Sequence, residues 1–197
     1  MTDADWDPLS ALATLVRHRV RFVVIGGFAA NILGSPMLTQ DTDICYSRDP
    51  ENLERLALAL LELRARLRGP GVPEDLPFKL DATTLANGDH FTFMTSAGPL
   101  DILGTLAGVS GFDELDRAAD DVEIAVGLVV RVPALDDLIR MKRAAGRPKD
   151  RLAVEELGAL RDVRAQRAEE ERQRRRAQGR GPESDAAGGS SGGPSAG

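Results

Sequence analysis

The spacing of apolar residues predicts an alternation of helices and short strands over the first 160 residues. Leucines and valines recur three or four positions apart within residues 7–17, which predicts an amphipathic helix. The apolar run Phe22–Ile25 predicts a buried strand, and after a glycine pair residues 28–33 predict a short helix. A second strand follows, and it carries Asp41 and Asp43.

The later part of the chain continues this pattern and then changes composition. Helices are predicted from Asp49 to Leu67, over 134–145 and from Lys149, and strands over 90–95, 100–103 and, around Gly127, 122–132. We therefore expect an α/β fold, a small mixed sheet flanked by helices, formed by residues 1–160 with a helical part from about 134. The Arg- and Glu-rich residues 161–176 predict a charged helix end, and the Gly- and Ser-rich residues 177–197 predict a disordered tail.

Three aspartates in this pattern are candidate metal ligands. Asp41 and Asp43 stand two positions apart in a predicted strand, so their side chains project from the same side. Carboxylates held that close repel each other unless a proton or a cation lies between them, and Mg²⁺ prefers hard oxygen ligands of this kind. Asp101 lies in the apolar strand 100–103 and would add a third carboxylate from a neighbouring strand. Three such groups can hold one or two Mg²⁺ ions, whereas the alternative is a turn-rich strand whose aspartates are merely solvated.

Groups that could bind phosphate lie on either side of these carboxylates in the sequence. Gly26 and Gly27 precede a helix directly, which would let a phosphate approach backbone N–H groups. Lys142 falls on the inner stripe of its helix, and an inward ammonium needs an anionic partner such as Asp150, an active-site carboxylate or a nucleotide phosphate. The surrounding basic cluster is either a solvated helix face or a contact for RNA. This cluster comprises Arg140, Lys142, Arg143, Arg147, Lys149 and Arg151.

Composition and charge limit the partners and the cellular compartment that we expect for this protein. The net charge of −6 excludes a general attraction to nucleic acid, so any RNA contact must come from a local basic patch. Cys45 is the only cysteine, which excludes an intramolecular disulfide and predicts a small buried thiol in a reducing compartment. No apolar run reaches the ~18 residues that a membrane span needs, and the acidic first residues do not resemble a signal peptide. We expect a cytoplasmic protein without membrane contact.

Two stretches of the chain resemble a known superfamily. IGGFAANILGSPMLTQDTDI, residues 25–44, is similar to the signature of the DNA polymerase β-like nucleotidyltransferases, in which a glycine pair precedes Asp-x-Asp. The closer resemblance is to the AbiEii-like toxins of toxin–antitoxin systems, including the mycobacterial MenT group, which have Thr or Ser two residues before the first Asp, as Thr39 stands here. RMKRAAGRPKD, residues 140–150, resembles their C-terminal Lys and Lys-Asp motif. The resemblance covers about residues 20–160.

The resemblance implies a polymerase-β-like fold and an Mg²⁺-dependent enzyme. Its metal ligands would be Asp41 and Asp43, joined by Asp101 as a ligand of a second ion or as a base. Its nucleotide would lie by Gly26, Gly27, Thr39, Lys142 and Lys149, and its active centre would include Lys142 and Asp150. Toxins of this group add nucleotides, often pyrimidines from CTP or UTP, to the 3′ acceptor end of tRNA. A cognate antitoxin protein neutralises them, in some cases by phosphorylating the hydroxyl residue at the position of Thr39.

One departure from the family pattern and two further interpretations remain open at this stage. Many relatives have Arg two residues before the Thr, where this chain has Met37, so that a phosphate or backbone contact must come from elsewhere, with Arg48 and Arg140 as candidates. The same chemistry could instead modify a protein, by AMPylation, or a small molecule such as an aminoglycoside. A non-catalytic, antitoxin-like binding module is the alternative from a different class.

Overall fold

The computed structural model describes residues 6–73 and 76–179, with the side chains of residues 149 and 177–179 outside the described part. Helices and strands alternate along it. The helices are α1 (Pro8–Arg17), α2 (Gly26–Ile32), α3 (Pro50–Glu62), α4 (Ala82–Asn87), α5 (Phe112–Ala118), α6 (Leu135–Ala145) and α7 (Pro148–Gly179). The strands are β1 (Phe22–Ile25), β2 (Thr42–Tyr46), β3 (Arg66–Leu67), β4 (His90–Thr95), β5 (Gly98–Leu103), β6 (Asp120–Ala125) and β7 (Leu128–Val132).

A mixed sheet forms the centre of the fold and confirms the predicted α/β class. Its described strands follow the order β1-β2-β5-β4-β3, and only β2 and β5 run parallel to each other. Strands β1 and β2 are buried almost throughout, since the sheet is covered on both faces. Strands β6 and β7 form a separate antiparallel hairpin around Gly127, as predicted, and β7 contacts β1.

The aliphatic core lies on the two faces of the sheet. Val24 and Ile44 belong to the larger cluster, with the inner leucines of α1 and α3. Val23 and Cys45 point the other way, because successive strand residues alternate, and they pack against α5. The prediction of a buried thiol is confirmed: Cys45 is fully buried, and this burial, with a smaller contribution from the charge of Asp89, raises its pKa to about 12.

The start of α1 agrees with the sequence-based prediction, whereas the end of α3 does not, because the backbone conformation ends this helix early. Asp7 caps α1 by accepting a hydrogen bond from the Ser10 N–H. Helix α3 was expected to run to Leu67 but ends at Glu62. Arg64 adopts φ +53°, and the Ala65 N–H donates to the Leu60 carbonyl, which is a Schellman turn without the usual glycine. The chain then enters β3 where a helix had been predicted.

Two short helices, α4 and α5, were not predicted. Asp81 caps α4 through the Thr84 N–H, and α5 follows Gly111, which has φ +127°. The second strand was expected to carry both Asp41 and Asp43, but β2 begins at Thr42, so that Asp41 precedes the strand and Asp43 lies within it.

The chain divides into two units after Arg161, and of the second unit the structure describes residues 162–179, which belong to α7. Ion pairs at helical spacing, such as Arg175 with Glu171, lie on the surface of this part of the helix. The predicted disordered tail falls, from residue 180 onward, outside the described residues, and the predicted domain boundaries stay a prediction. Among the described helices, none combines the length and the apolar character that crossing a bilayer requires.

Candidate metal and nucleotide site

Parallel pairing of β2 with β5 brings the three predicted carboxylates together. Asp43 is the direct partner of Asp101 across the two strands, and Asp41 lies immediately before β2. One ligand oxygen from each of the three side chains lies within 4.8 Å of the others. All three residues are partly buried. The sequence therefore predicted both members of the strand pair that carries this cluster.

The donor set fits a divalent cation of the Mg²⁺ type. All three side chains offer hard carboxylate oxygens, and partial burial leaves access for water, which Mg²⁺ usually retains in part. Three negative charges within this distance repel each other, and a divalent ion between them would relieve that repulsion. The fit concerns the chemistry and spacing of the ligands, which suit hard divalent cations, among them Mg²⁺.

Thr39 holds the first of these carboxylates from the loop before β2. Its hydroxyl Oγ1 donates to Asp41 Oδ1 at 2.6 Å. The loop itself is held by Asn31, whose Nδ2 donates to the Met37 carbonyl at 2.6 Å. Ser35 ties the same loop to α7, because its Oγ donates to Glu156 Oε1 at 2.6 Å. Asn31 therefore holds the backbone of this loop at Met37.

The glycine pair packs directly on this carboxylate group. Gly26 has φ +69°, and a Cβ at this residue would lie 2.0 Å from Asp43 Oδ2. A Cβ at Gly27 would lie 2.7 Å from Thr39 Oγ1. No larger residue fits at either position without moving a site side chain. The pair therefore serves the close approach of α2 to Asp43 and Thr39, and its predicted contact with a triphosphate stays a prediction.

The second predicted motif, at the α6–α7 turn, forms a cluster around a buried carboxylate. Asp150 is only 2% exposed and accepts a 2.8 Å hydrogen bond from Arg147 Nε. Lys142 Nζ lies 3.8 Å from Asp150 Oδ1, and its side chain is 18% exposed, as its place on the inner stripe predicted. The side chain of Arg147 is 59% exposed and is held by Asp150. The side chain of Lys149 lies outside the described part of the chain.

Electrostatics connect this cluster to the carboxylates on the sheet. Burial alone would raise the pKa of Asp150, but the hydrogen bond from Arg147 and the charges of Arg147 and Lys142 outweigh it and hold that pKa below its usual value. The hydrogen bond to Asp150 raises the pKa of Arg147 despite its desolvation, and the charges of Asp150, Asp43 and Asp41 add to the increase. The Arg147 guanidinium therefore lies within the field of the sheet carboxylates.

A cleft of about 410 Å³ joins the two groups of residues. Gly26, Asp43 and Asp101 line its sheet side, and Lys142 and Arg147 line its helical side. The rest of the wall is mainly apolar and includes Phe91, Ile102, Leu106, Leu138 and Met141. Sites that bind small molecules typically combine a few charged or polar groups with a mainly apolar wall, as this cleft does. A larger cavity of about 580 Å³, beside Trp6 and Phe28, includes none of the three carboxylates in its lining.

An arginine that the sequence analysis did not single out contacts the third carboxylate. Arg68 Nη2 donates to Asp101 Oδ1 at 2.8 Å, and its Nε donates to the Phe93 carbonyl at 3.1 Å. No motif marks Arg68, which stands 33 positions before Asp101 in the chain. Only the pairing of β3, β4 and β5 brings the two residues together.

The two arginines proposed as substitutes at the Met37 position are engaged elsewhere. Arg48 donates to the carbonyls of Ala86 and Gly88 at the end of α4. Arg140 pairs with Glu114 and with Asp137, its neighbour on α6. Neither is among the residues that line the cleft. Arg147 and Arg68 are the arginines that the structure brings to the carboxylates.

Comparisons with known proteins return similar folds only. No family model and no curated protein matches the chain. Among solved structures, the chain is similar to TM1012 from Thermotoga maritima, a candidate nucleotidyltransferase, with 15% identity, a TM-score of 0.43, and coverage of 81% of this chain and 87% of that one.

The antibiotic-resistance factor ANT(2″)-Ia is similar as well. Its solution structure gives 15% identity and a TM-score of 0.46 over 86% of this chain and 96% of that one. Its crystal structure in complex with adenylyl-2″-tobramycin gives 15% identity and a TM-score of 0.45 over 80% and 94%. No family assignment follows from similarities of this size.

Proposed function

We propose that this protein is an Mg²⁺-dependent nucleotidyltransferase that transfers NMP from an NTP to the 3′ acceptor end of tRNA, as the toxin of a toxin–antitoxin system. The observation that carries the proposal is the convergence of Asp41, Asp43 and Asp101 within 4.8 Å, with Asp43 and Asp101 on one wall of a cleft whose other wall carries Lys142. Carboxylates facing a cation across a cleft are the groups that nucleotidyl transfer requires, since this chemistry depends on positioning and charge neutralisation.

The carboxylates take distinct roles in this proposal. Asp41 and Asp43 hold the metal, and Thr39 fixes the orientation of Asp41 through its 2.6 Å hydrogen bond. Asp101 holds a second ion or accepts the proton of the acceptor hydroxyl. Bound Mg²⁺ supplies charge neutralisation for the triphosphate and lowers the pKa of the attacking hydroxyl. The glycine pair keeps α2 close enough to hold Asp43 and Thr39 in these positions.

The basic wall of the cleft binds the triphosphate. Lys142 is largely buried, and its contact with Asp150 is long at 3.8 Å, so a phosphate group in the cleft would be a closer partner for the ammonium. Arg147 is held by Asp150 and is partly exposed at the cleft, where it can donate further hydrogen bonds. Asp150 positions both cations, and Lys149 adds a further positive charge at the start of α7.

The acceptor and the biological role are supported by the sequence resemblance. Thr39, Asp41 and Asp43 match the motif of the AbiEii-like toxins, and Lys142 and Asp150 match their C-terminal motif. This match favours CTP or UTP as donor, tRNA as acceptor, and an antitoxin as partner. Phosphorylation of Thr39 would suit neutralisation, because a phosphate on its hydroxyl would bring negative charge against Asp41, which accepts a hydrogen bond from it at 2.6 Å.

Transfer of label from an NTP tests the proposal. The protein is incubated with Mg²⁺, each of the four α-labelled NTPs, and total tRNA, a bacterial protein extract or an aminoglycoside. We expect label on tRNA, from CTP or UTP, and its loss in Asp43→Asn. The matched control is Asp120→Asn, an exposed aspartate of β6 outside the site, which should retain transfer. Label on protein or drug instead of tRNA would identify the alternative acceptors and refute the tRNA proposal.

Growth in a bacterial host separates the enzyme from a binding module. Expression of the wild-type protein should arrest growth, and Asp41→Ala should relieve the arrest because it removes a metal ligand. An arrest that persists unchanged in Asp41→Ala would support the non-catalytic alternative.

A further inference from the structure

One face of the sheet stays partly open between the third carboxylate and the edge strand β3. Along β5, buried residues alternate with partly exposed ones, and Asp101 belongs to the partly exposed set. Leu100 and Ile102, of the buried set, pack in the larger core cluster on the opposite face. The open side, which we call the β3–β5 face, carries Arg66, Arg68, Thr92, Met94, Pro99 and Asp101.

Two arginines stand at the outer edge of this face. Arg66 pairs with Met94 between β3 and β4, whereas Leu67, the next residue, packs against the core. Because strand residues alternate, Arg66 and Arg68 both lie on the β3–β5 face. Arg68 contacts Asp101 at 2.8 Å and is 33% exposed. Arg66 is exposed, and no ion pair between described residues involves it.

The two substrates of the proposed reaction need different sides of the carboxylate cluster. In the proposed function, Lys142 and Arg147 bind the triphosphate on the helical wall of the cleft. Nucleotidyl transfer places the attacking and leaving oxygens roughly in line, so the acceptor approaches from the side away from that wall. The lining of the cleft includes Thr92 of β4, and the β3–β5 face continues from there to β3, which lies two strand spacings, about 10 Å, from β5.

We infer that the 3′ end of an RNA acceptor lies along the β3–β5 face, with one of its phosphates bound by Arg66. This inference rests on the proposed function and names the surface that receives the acceptor. The planar guanidinium of Arg66 can bind a phosphate through two parallel hydrogen bonds. Arg68 adds positive charge between this contact and Asp101. With a net charge of −6, the protein attracts RNA only where positive charge is local.

The basic cluster at the α6–α7 turn is less suited to this role. Arg140 is paired with Glu114 and Asp137. Arg147 is held by Asp150 and belongs to the triphosphate wall of the cleft. Arg143 is exposed and provides a direct comparison between the two surfaces.

The salt dependence of tRNA binding tests the inference on the full chain without any transfer step. We measure fluorescence anisotropy of fluorescein-labelled total tRNA between about 50 and 200 mM KCl, without NTP or divalent ions. Each phosphate contact contributes about 0.7–0.9 to the slope of the logarithm of affinity against the logarithm of salt concentration. Arg66→Gln should lower the slope by about this amount and weaken binding about fourfold at ~0.15 M salt. Arg66→Lys keeps the charge and should retain the slope.

Arg19→Gln is the matched control. Arg19 is exposed, follows α1, whose leucines pack on the opposite face of the sheet, and loses the same unit of charge on substitution. Its salt slope should equal that of wild type. Arg66→Thr, which introduces a residue favoured in strands, repeats the test if circular dichroism shows that Arg66→Gln does not fold.

Steady-state transfer separates the acceptor surface from the triphosphate site. Arg66→Gln should raise the KM for tRNA about fourfold and leave the KM for NTP unchanged. Equal increases in both KM values would indicate a general disturbance of the site and would overturn the inference.

The outcomes also separate this inference from the proposed function. If wild type labels tRNA and Arg66→Gln leaves the salt slope and the KM for tRNA unchanged, the inference is wrong and the proposed function stands. An equal loss of slope in Arg19→Gln, or a loss in Arg143→Gln without one in Arg66→Gln, would overturn the inference as well. Transfer to a protein or an aminoglycoside instead of tRNA would overturn both. Binding of tRNA that weakens in Arg66→Gln, without transfer by wild type, would support the surface and refute the proposed function.

Discussion

Replacing Gly26 by alanine adds one methyl group where α2 meets the metal-binding carboxylates. The new Cβ would lie 2.0 Å from Asp43 Oδ2, far inside the contact distance of two atoms, so that Asp43 must move. Gly26 also has φ +69°, a backbone conformation that costs a residue with a side chain about 1–2 kcal/mol. Overpacking adds about 1–3 kcal/mol. The substitution should therefore both lower the free energy of unfolding and displace the metal-binding side chain of Asp43.

Gly127→Ala separates these two effects. Gly127 has φ +73°, almost the same as Gly26, but no atom lies within 4 Å of the position that its Cβ would occupy. Both variants should lose about 1–2 kcal/mol of unfolding free energy from backbone strain. Gly26→Ala should lose about 1–3 kcal/mol more from its collision with Asp43, and each kcal/mol lowers the melting temperature by about 2–4 °C.

Urea unfolding and transfer of labelled NMP measure the two consequences. We expect Gly127→Ala to transfer nucleotide like wild type. Gly26→Ala should be slower by on the order of 100-fold, since a misplacement of about 1 Å at a catalytic group has that effect. Equal stability and equal transfer rates in the two alanine variants would refute the close packing of Gly26 on Asp43.

Three further substitutions have defined outcomes. Asp150→Asn removes a charged hydrogen-bond acceptor whose pKa is lowered in the fold, and should cost about 1.5–3 kcal/mol at pH 7 in urea unfolding. Because a depressed carboxyl pKa stabilises the fold only while the group is ionised, the difference from wild type should shrink as pH falls below about 4. Thr39→Val removes the hydroxyl bonded to Asp41 and should weaken Mn²⁺ binding, whereas Thr39→Ser should retain it. Lys142→Met should raise the KM for NTP, measured by initial rates, with Arg143→Met as an exposed control on the same helix.

The sequence predicted the carboxylate cluster because Asp43 and Asp101 lie in strands with an apolar pattern and Asp41 immediately precedes the first of these strands. Period-two alternation placed Asp41 and Asp43 together, and the apolar residues around Asp101 marked a buried strand for it. Lys142 was recognised in the same way, from the helical period of α6. The spacing of apolar residues shows which face of a helix or strand is buried. These site residues could be recognised because their positions relative to the buried face follow from that spacing.

Features that depend on non-local pairing or on backbone geometry could not be predicted in this way. The contact of Arg68 with Asp101 needs the order of three strands, which the pattern does not contain. The end of α3 depends on Arg64 in a left-handed conformation, where glycine is the usual signal. The packing of the glycine pair against Asp43 and Thr39 also depends on the approach of segments distant in the sequence, and the predicted phosphate contact of the pair stays a prediction.

Anomalous diffraction from a crystal grown with Mn²⁺ and a non-hydrolysable CTP analogue would locate the metal directly. We expect a peak at about 2.0–2.6 Å from carboxylate oxygens of Asp41 and Asp43, with Asp101 as ligand of the same or a second ion, and the triphosphate between this position and Lys142. A cleft that binds nucleotide with no metal at these three carboxylates, or metal bound only elsewhere on the protein, would contradict the proposed site.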